Sequence, residues 1–164
     1  QWKDTGIRLE GDAVQSLTVT FLEMWNAAQE EQGYYLMVSS SYRSYQEQEI
    51  VYNNYKKTRG QKYADSIAAR PGASEHQTGL AVDFAYYENG IYNDDIKEDD
   101  KEAIWLKDNA WKYGFILRYP KGKEDITGFN FEPWHYRFVG LELAFELYQT
   151  NQTLEEYKKC VKSL

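Results

Sequence analysis

The sequence is short of the residues on which several classes of protein depend. Its 164 residues contain one cysteine, Cys160, and two histidines. One cysteine excludes an intramolecular disulfide and a zinc cluster built from cysteines, so we expect Cys160 to be a half-buried helix residue. No apolar run approaches the roughly 20 residues that a transmembrane helix needs, so no membrane span is expected.

An excess of basic residues is also absent. The formal net charge is -7 and the isoelectric point is near 4.9, whereas a protein that follows a phosphate backbone presents a basic face. Nucleic acid is therefore not an expected partner. No internal repeat, low-complexity tract or linker rich in proline and glycine divides the chain, and its length suits one core. We therefore predict a single domain over residues 1–164.

Apolar residues make up 42% of the sequence, and their spacing predicts mixed secondary structure. Helical periodicity and capping signals predict helices over residues 11–31, 44–60, 103–111 and 142–148, with a last helix capped by Thr153 and Glu156. Short apolar or alternating runs predict strands over residues 36–38, 80–85, 115–117 and 131–139. Helices and strands do not alternate regularly, which favours an α+β domain with a small, mainly antiparallel sheet and flanking helices.

The two histidines lie in dense clusters of functional residue types. His76 belongs to the run Ser-Glu-His-Gln-Thr-Gly-Leu-Ala-Val-Asp over residues 74–83, and His135 to Glu-Pro-Trp-His-Tyr-Arg over residues 132–137. A catalytic zinc ion takes three protein ligands of nitrogen or oxygen type and keeps a position for water. His76 and His135 are the imidazoles that this chain can offer to such a site.

Asp83 is the natural third ligand. It lies between Val82 and Phe84 in a predicted strand, where a buried aspartate is costly unless it is paired or bound to a metal. Gly79, between His76 and Asp83, lets the chain turn so that both side chains reach one point. The sequence therefore predicts a site for one zinc ion at His76, Asp83 and His135.

Glu132 is the candidate general base. A water at a zinc ion needs a base that is near the metal without being a ligand. Strict alternation along a strand would put Glu132 and His135 on opposite faces. Pro133 removes a ladder donor and often marks a bulge or a strand edge, and either could bring the two side chains together.

Five motifs in order resemble the VanY-type family of D-alanyl-D-alanine carboxypeptidases, which includes L,D-carboxypeptidases. They are Ser-Tyr-Arg-Ser over residues 41–44, Ala-Ala-Arg-Pro-Gly over 68–72, the two histidine clusters, and Gly-Phe-Ile-Leu-Arg-Tyr-Pro over 114–120. The similarity runs from about Val38 to Leu154. It implies the small α+β metallopeptidase fold shared with D-Ala-D-Ala dipeptidases and the hedgehog signalling domain.

The resemblance also implies roles for individual residues. His76, Asp83 and His135 become zinc ligands and Glu132 the general base, in agreement with the chemistry of these residues. Arg43 is expected to face the substrate and steady the scissile carbonyl oxygen, since a guanidinium stays charged and offers two donors. The remaining expected substrate-facing residues are Gln48, Ser74, Tyr119 and Trp134. Taken alone, Gln48 fits a solvated helix residue, Ser74 a turn residue, and both aromatics the core.

The implied function is removal of the terminal D-alanine from peptidoglycan stem peptides. An L,D-carboxypeptidase acting on tetrapeptide stems is the alternative within the same chemistry, and a non-catalytic zinc-containing module that binds the cell wall is the alternative outside it. The expected partner is a stem peptide ending in D-alanine, and we expect a monomer. Such a substrate implies action outside the cytoplasmic membrane, with any anchor or signal placed before Gln1.

Overall fold

The computed structural model describes residues 13–162, with side chains from residue 17 onward. The helices are α1 (Ala13–Gln32), α2 (Tyr45–Arg59), α3 (Gln61–Ile67), α4 (Lys101–Asn109), α5 (Glu124–Thr127), α6 (Leu141–Thr150) and α7 (Leu154–Lys162). The strands are β1 (Tyr35–Ser40), β2 (Ala81–Glu88), β3 (Ile91–Asn93), β4 (Phe115–Leu117) and β5 (His135–Phe138). Two short 3-10 turns, Glu75–Thr78 and Ala110–Tyr113, complete the elements.

Strand β2 is the centre of one antiparallel sheet. It pairs with β1 along one side, and on the other side its first half pairs with β5 and its second half with β3. Strand β4 continues the sheet beyond β5. In this register Asp83 of β2 lies opposite His135 of β5. Two of the predicted metal ligands are therefore cross-strand neighbours, which places their side chains on the same face of the sheet.

The two faces of the sheet have different tasks. Val82 and Phe84 of β2 are fully buried on one face, where they join the main hydrophobic core. Because side chains alternate along a strand, Asp83 projects from the opposite face. The same alternation on β5 sends Tyr136 into the core and His135 to the side of Asp83. The sheet thus separates the core from the candidate site.

The core face is covered by α1 and α4. Leu17, Phe21, Met24 and Ala28 recur at helical spacing along α1 and are buried. On the site side, α2 and α3 pack against each other through a small cluster of Tyr52, Ala64 and Ala68. The helices on that side bring Gln48 to the site, and the chain just before α2 brings Arg43.

The predicted fold class, an α+β domain with a small antiparallel sheet, is confirmed. The helix predicted over residues 11–31 is present, although its first residues lie outside the described part of the chain. The strand predicted over residues 131–139 is shorter and begins at His135. Helices α3 and α5 and strand β3 were not predicted. Cys160 is exposed on α7, so the prediction of a half-buried cysteine was wrong.

The described helices include none that combines the length and apolar character needed to cross a bilayer.

Candidate active site

His76 is held in a 3-10 turn that precedes β2. Gly79 ends this turn with a φ of 71°, a left-handed conformation that glycine adopts without strain. The His76 ring is buried, and its Nδ1 lies 2.6 Å from the carbonyl oxygen of Ser41. A carbonyl can only accept, so Nδ1 carries the proton and donates. Nε2 therefore keeps its lone pair, and it has no hydrogen-bond partner.

Asp83 lies between the two imidazoles. Its Oδ2 is 3.3 Å from His76 Nε2, and its Oδ1 is 2.8 Å from His135 Nδ1. Burial opposes ionisation of Asp83, but the two neighbouring rings hold the pKa of this carboxyl well below its usual range. Burial likewise opposes a charge on His135, yet Asp83 and Glu75 raise the pKa of that ring to about 9. Surroundings that favour a cation on the ring also favour a metal cation beside it.

These three side chains could hold a metal ion. One potential ligand atom from each of His76, Asp83 and His135 lies within 4.8 Å of the others. A buried imidazole nitrogen that has no partner is uncommon in proteins, and His76 Nε2 is such an atom. Two imidazoles and one carboxylate form a donor set that suits zinc, and the residues present therefore fit the ion.

Glu132 reaches the same point through a tight turn rather than through a bulge. The amide of His135 donates to the carbonyl of Glu132 at 3.2 Å, which closes a four-residue turn with Pro133 at its second position. Of the two possibilities expected at Pro133, a bulge and a strand edge, the structure has no bulge there; Pro133 lies just before β5, which starts at His135. The turn places Glu132 Oε2 3.8 Å from His135 Nδ1. Burial raises the pKa of Glu132 to about 8.

Arg43 closes the site from the opposite side. Its amide donates to the carbonyl of His76 at 3.1 Å, and its Nη2 lies 3.9 Å from Asp83 Oδ2. About a fifth (21%) of the side chain is exposed, and its buried Nε has no hydrogen-bond partner. Arg43 is therefore not a surface residue that merely precedes a helix. Its guanidinium faces the carboxylate of Asp83 with donor capacity to spare.

Gln48 and Ser74 are both buried beside the ligands. Gln48 is on α2, where its Nε2 donates to the carbonyl of Ala69 at 2.7 Å. Its Oε1 is buried without a partner, so the expectation of a solvated helix residue is wrong for Gln48. Ser74 precedes the turn that carries His76, and its side chain makes no capping bond there. Both residues line the same cavity as the metal-ligand candidates.

The two aromatic candidates occupy different positions. Tyr119 is buried; its ring stacks on His135 with centroids 4.9 Å apart and contacts Phe129 in a tilted arrangement at 4.6 Å. Trp134 is half-buried and packs against the main core while also lining the cavity. Tyr119 therefore belongs to the wall around His135, whereas Trp134 joins the site to the core.

A cavity of about 90 Å³ contains the candidate site. The predicted residues that line it are Arg43, Gln48, Ser74, His76, Asp83, Tyr119, Glu132, Trp134 and His135. All nine residues that the sequence singled out thus meet in one place, although they are spread over 93 positions of the chain. The cavity lining thus combines charged and polar groups with Tyr and Trp rings, which suits an amphipathic ligand.

An ion-pair network behind His135 was not predicted. The Oε1 of Glu75 accepts from Arg118 Nε at 2.8 Å and lies 3.4 Å from Arg137 Nη1. Arg118 also forms a two-bond pair with Glu155 of α7. Burial would raise the pKa of Glu75, but His135 and Arg118 lower it to about 2. The position of Glu75 next to His76 was the available signal.

The family model described as VanY, D-alanyl-D-alanine carboxypeptidase, matches residues 12–141. Among curated relatives, the chain is 45% identical over 141 residues to the putative carboxypeptidase YodJ of Bacillus subtilis strain 168. The match covers 86% of this chain and 51% of YodJ. The chain thus spans about half the length of that relative.

Solved structures agree with the family model. The LdcB LD-carboxypeptidase superposes with a TM-score of 0.77 at 42% identity, covering 88% of this chain and 67% of that chain. A mutant of the vancomycin-resistance D,D-pentapeptidase VanY, in complex with Zn(II), superposes with a TM-score of 0.74 at 35% identity, covering 86% and 80%. The fold described above is therefore that of zinc peptidases of this type. On these matches, the chain belongs to the VanY family of D-alanyl-D-alanine carboxypeptidases.

Proposed function

We propose that this chain is the catalytic domain of a zinc-dependent carboxypeptidase that removes the terminal D-alanine from peptidoglycan stem peptides. The observation that carries the proposal is the convergence of three metal-ligand candidates with Glu132 and Arg43 in one small cavity. Membership of the VanY family and the Zn(II) complex of a related VanY support it. A pure binding module has no need of Glu132, a buried carboxyl beside the ligand set.

His76, Asp83 and His135 are proposed to hold one zinc ion. When bound, the ion supplies the Lewis acidity that makes water nucleophilic at neutral pH and polarises a carbonyl group. The sheet register orients Asp83 and His135, and the hydrogen bond from His76 Nδ1 to the carbonyl of Ser41 orients His76. Pre-oriented ligands lose little side-chain entropy on binding, which favours affinity.

Glu132 is proposed as the general base and then the general acid. Its carboxylate takes a proton from the attacking water as the water adds to the carbonyl carbon before the terminal D-alanine. The same carboxyl then returns the proton to the leaving amine as the peptide bond breaks. The side chain lies 3.8 Å from His135 Nδ1, close enough to reach a water at the ligand set.

Arg43, Gln48 and Ser74 are proposed to bind and orient the peptide. The guanidinium of Arg43 faces the site and stabilises negative charge that develops on the scissile carbonyl oxygen. The unpartnered Oε1 of Gln48 accepts a hydrogen bond from a peptide N–H, whereas Ser74 can donate to the terminal carboxylate. Tyr119 and Trp134 form walls of the pocket.

The same proposal places the protein outside the cytoplasmic membrane, where stem peptides are located, and treats residues 1–164 as one domain that acts as a monomer. An L,D-carboxypeptidase is a second candidate, because the similarity to LdcB, at 42% identity, is at least as strong as the similarity to VanY, at 35%. The two activities differ in the residue before the scissile bond. This residue is D-alanine in pentapeptide stems and L-lysine or diaminopimelate in tetrapeptide stems.

The test is D-alanine release from pentapeptide and tetrapeptide stems assayed side by side, with and without a chelator. Release from the pentapeptide that the chelator abolishes is the expected result. Release from the tetrapeptide alone assigns the L,D activity to the same site. If the chain binds zinc but releases D-alanine from neither peptide, the enzyme proposal is wrong and a binding module takes its place.

A further inference from the structure

The two ring nitrogens of His135 face two different carboxylates. Nδ1 lies 2.8 Å from Asp83, on the side of the ligand set. Nε2 points away from it, toward Glu75, whose Oε2 is 3.9 Å distant. Both His135 Nε2 and Glu75 Oε2 are buried, and neither has a hydrogen-bond partner. A displacement of about 1 Å would join them in an ordinary hydrogen bond.

Glu75 is firmly anchored behind the ring. Its other oxygen, Oε1, accepts from Arg118 Nε at 2.8 Å, so the carboxylate cannot rotate away without breaking that bond. Arg118 is itself fixed, since its side chain is only 8% exposed and its two terminal nitrogens hold Glu155 of α7. Arg118 also lies over the ring of Tyr119, which stacks on His135. Tyr119 thus stacks on one face of the His135 ring, while Glu75 of the same network lies at its Nε2 edge.

We propose that Glu75 is a positioning residue for the metal ligand His135. With a zinc ion bound, Glu75 would accept a hydrogen bond from Nε2–H, keep the proton on that nitrogen, and leave the lone pair of Nδ1 directed at the point shared with Asp83. A carboxylate that fixes the tautomer of a ligating histidine is a recurrent device of metal sites. The inference rests on the zinc site proposed above and adds residues outside the ligand set.

The network has an outer end on the last helix. Glu155 lies in the first turn of α7. Arg118 connects it to Glu75, which lies 80 positions earlier in the sequence. The C-terminal helix therefore supports the metal site from a distance. Glu156, its neighbour, instead pairs with Lys123 and caps the same helix at Thr153. Among the described contacts, Glu155 contacts Arg118 and Glu156 does not. These adjacent glutamates therefore offer a matched comparison.

The test measures zinc affinity by competition with a chromophoric chelator, which needs no turnover. Glu75→Ala is expected to weaken zinc binding by roughly 10- to 100-fold. Glu75→Gln keeps an acceptor oxygen and should lose less zinc affinity than Glu75→Ala. Glu155→Gln should lose less zinc affinity still. Glu156→Gln, the control on the same helix, should keep the affinity of the unchanged protein. If Glu75→Ala fails to fold, the comparison of Glu75→Gln with Glu156→Gln still decides.

A spectroscopic measurement separates positioning from a general loss of structure. In the proton NMR spectrum of the zinc-loaded protein, the Nε2 proton of His135 should resonate far downfield and exchange slowly with solvent. Glu75→Gln should move this resonance upfield. Unchanged zinc affinity in a folded Glu75→Ala, or an unmoved proton in Glu75→Gln, overturns the proposal. Zinc binding without D-alanine release from any stem contradicts the proposed function instead, so the two failures are distinguishable.

Discussion

At the scale of single residues, the candidate site contains a buried carboxyl group, that of Glu132, beside the three candidate metal ligands. Glu132 is 4% exposed, and burial raises its pKa to about 8, whereas Asp83, between two imidazoles, has a pKa well below its usual range. Two carboxyl groups a few ångströms apart therefore have opposite protonation tendencies. Environments that separate the pKa values of neighbouring acids in this way are typical of general acid–base chemistry.

Glu132→Gln is expected to reduce kcat by roughly 10²- to 10⁴-fold while zinc stays bound, because the amide can neither take nor return a proton. Zinc content and kcat, measured on the same preparation, check this. Glu146→Gln, on the exposed side of α6, is the control and should leave kcat unchanged. Undiminished turnover in Glu132→Gln would remove Glu132 from the mechanism.

Arg43→Ala is expected to lower kcat by about 10²-fold or more, since it removes the charge that faces the developing oxyanion. Arg43→Lys keeps the charge without the planar fork and should recover only part of the loss. Steady-state kinetics on a pentapeptide stem measure both effects. Arg59→Ala, exposed at the end of α2, is the matched control. Equal kcat values for Arg43→Ala and the control would contradict the role.

At the scale of elements, the sequence predicted which side chains lie together in the candidate site better than it predicted the backbone that carries them. The zinc candidates followed from residue chemistry, because the chain has only two histidines and each lies in a dense cluster of functional residue types. The path of the chain at Glu132 did not follow, since a proline is compatible with a bulge, a strand edge or a turn. Only the hydrogen bond from the His135 amide to the Glu132 carbonyl distinguishes the turn.

Strand β3 was not predicted from periodicity, although the sequence contains a turn signal for it. Asn89-Gly90 separates β2 from β3, and both residues have positive φ values, 51° and 84°, as a two-residue hairpin turn requires. Three residues are too few for alternation to reveal a strand, so the Asn-Gly turn was the usable signal. Helix α3 was hidden for a related reason, since its seven residues start directly after Gly60, which also ends α2.

The turn before β4 provides a stability prediction. Gly114 has a φ of 81°, and an added Cβ would lie 2.8 Å from the Phe138 ring and 3.1 Å from the backbone of Gly140. Gly114→Ala is expected to destabilise the fold by roughly 2 to 4 kcal/mol through backbone strain and overpacking. Gly128→Ala has the same backbone strain in open space and should cost about 1 kcal/mol. Urea unfolding of both variants measures the difference, and equal midpoints would contradict the steric argument.

At the scale of the whole molecule, one pairing register builds both the core and the site. Val82 and Phe84 face the core, whereas Asp83 between them faces His135. A slip of β2 by one residue would exchange these faces, bringing Asp83 into the core and dispersing the ligand set. The three candidate ligands therefore meet only in the folded chain, so an ion bound by them should stabilise the folded chain.

Zinc at about 100 times its dissociation constant is expected to stabilise the fold by about 2.7 kcal/mol, because it binds the native state and not the unfolded chain. Thermal unfolding with zinc and with a chelator measures this as a higher Tm in the presence of the ion. His76→Ala should abolish the difference. Identical Tm values for the zinc-loaded and zinc-free protein would contradict the proposed site.

The cross-strand pairing of Asp83 with His135 also bears on how such a domain can diversify. The two residues are 52 positions apart in the chain but are fixed beside each other by backbone hydrogen bonds of the sheet. The exposed hairpin turn at Asn89-Gly90 lies in the segment between these two residues, away from both of them. Segments inserted at this turn would lengthen the chain between Asp83 and His135 without moving either residue. A domain of this design can thus gain new surface loops while the residues of its candidate site stay in place.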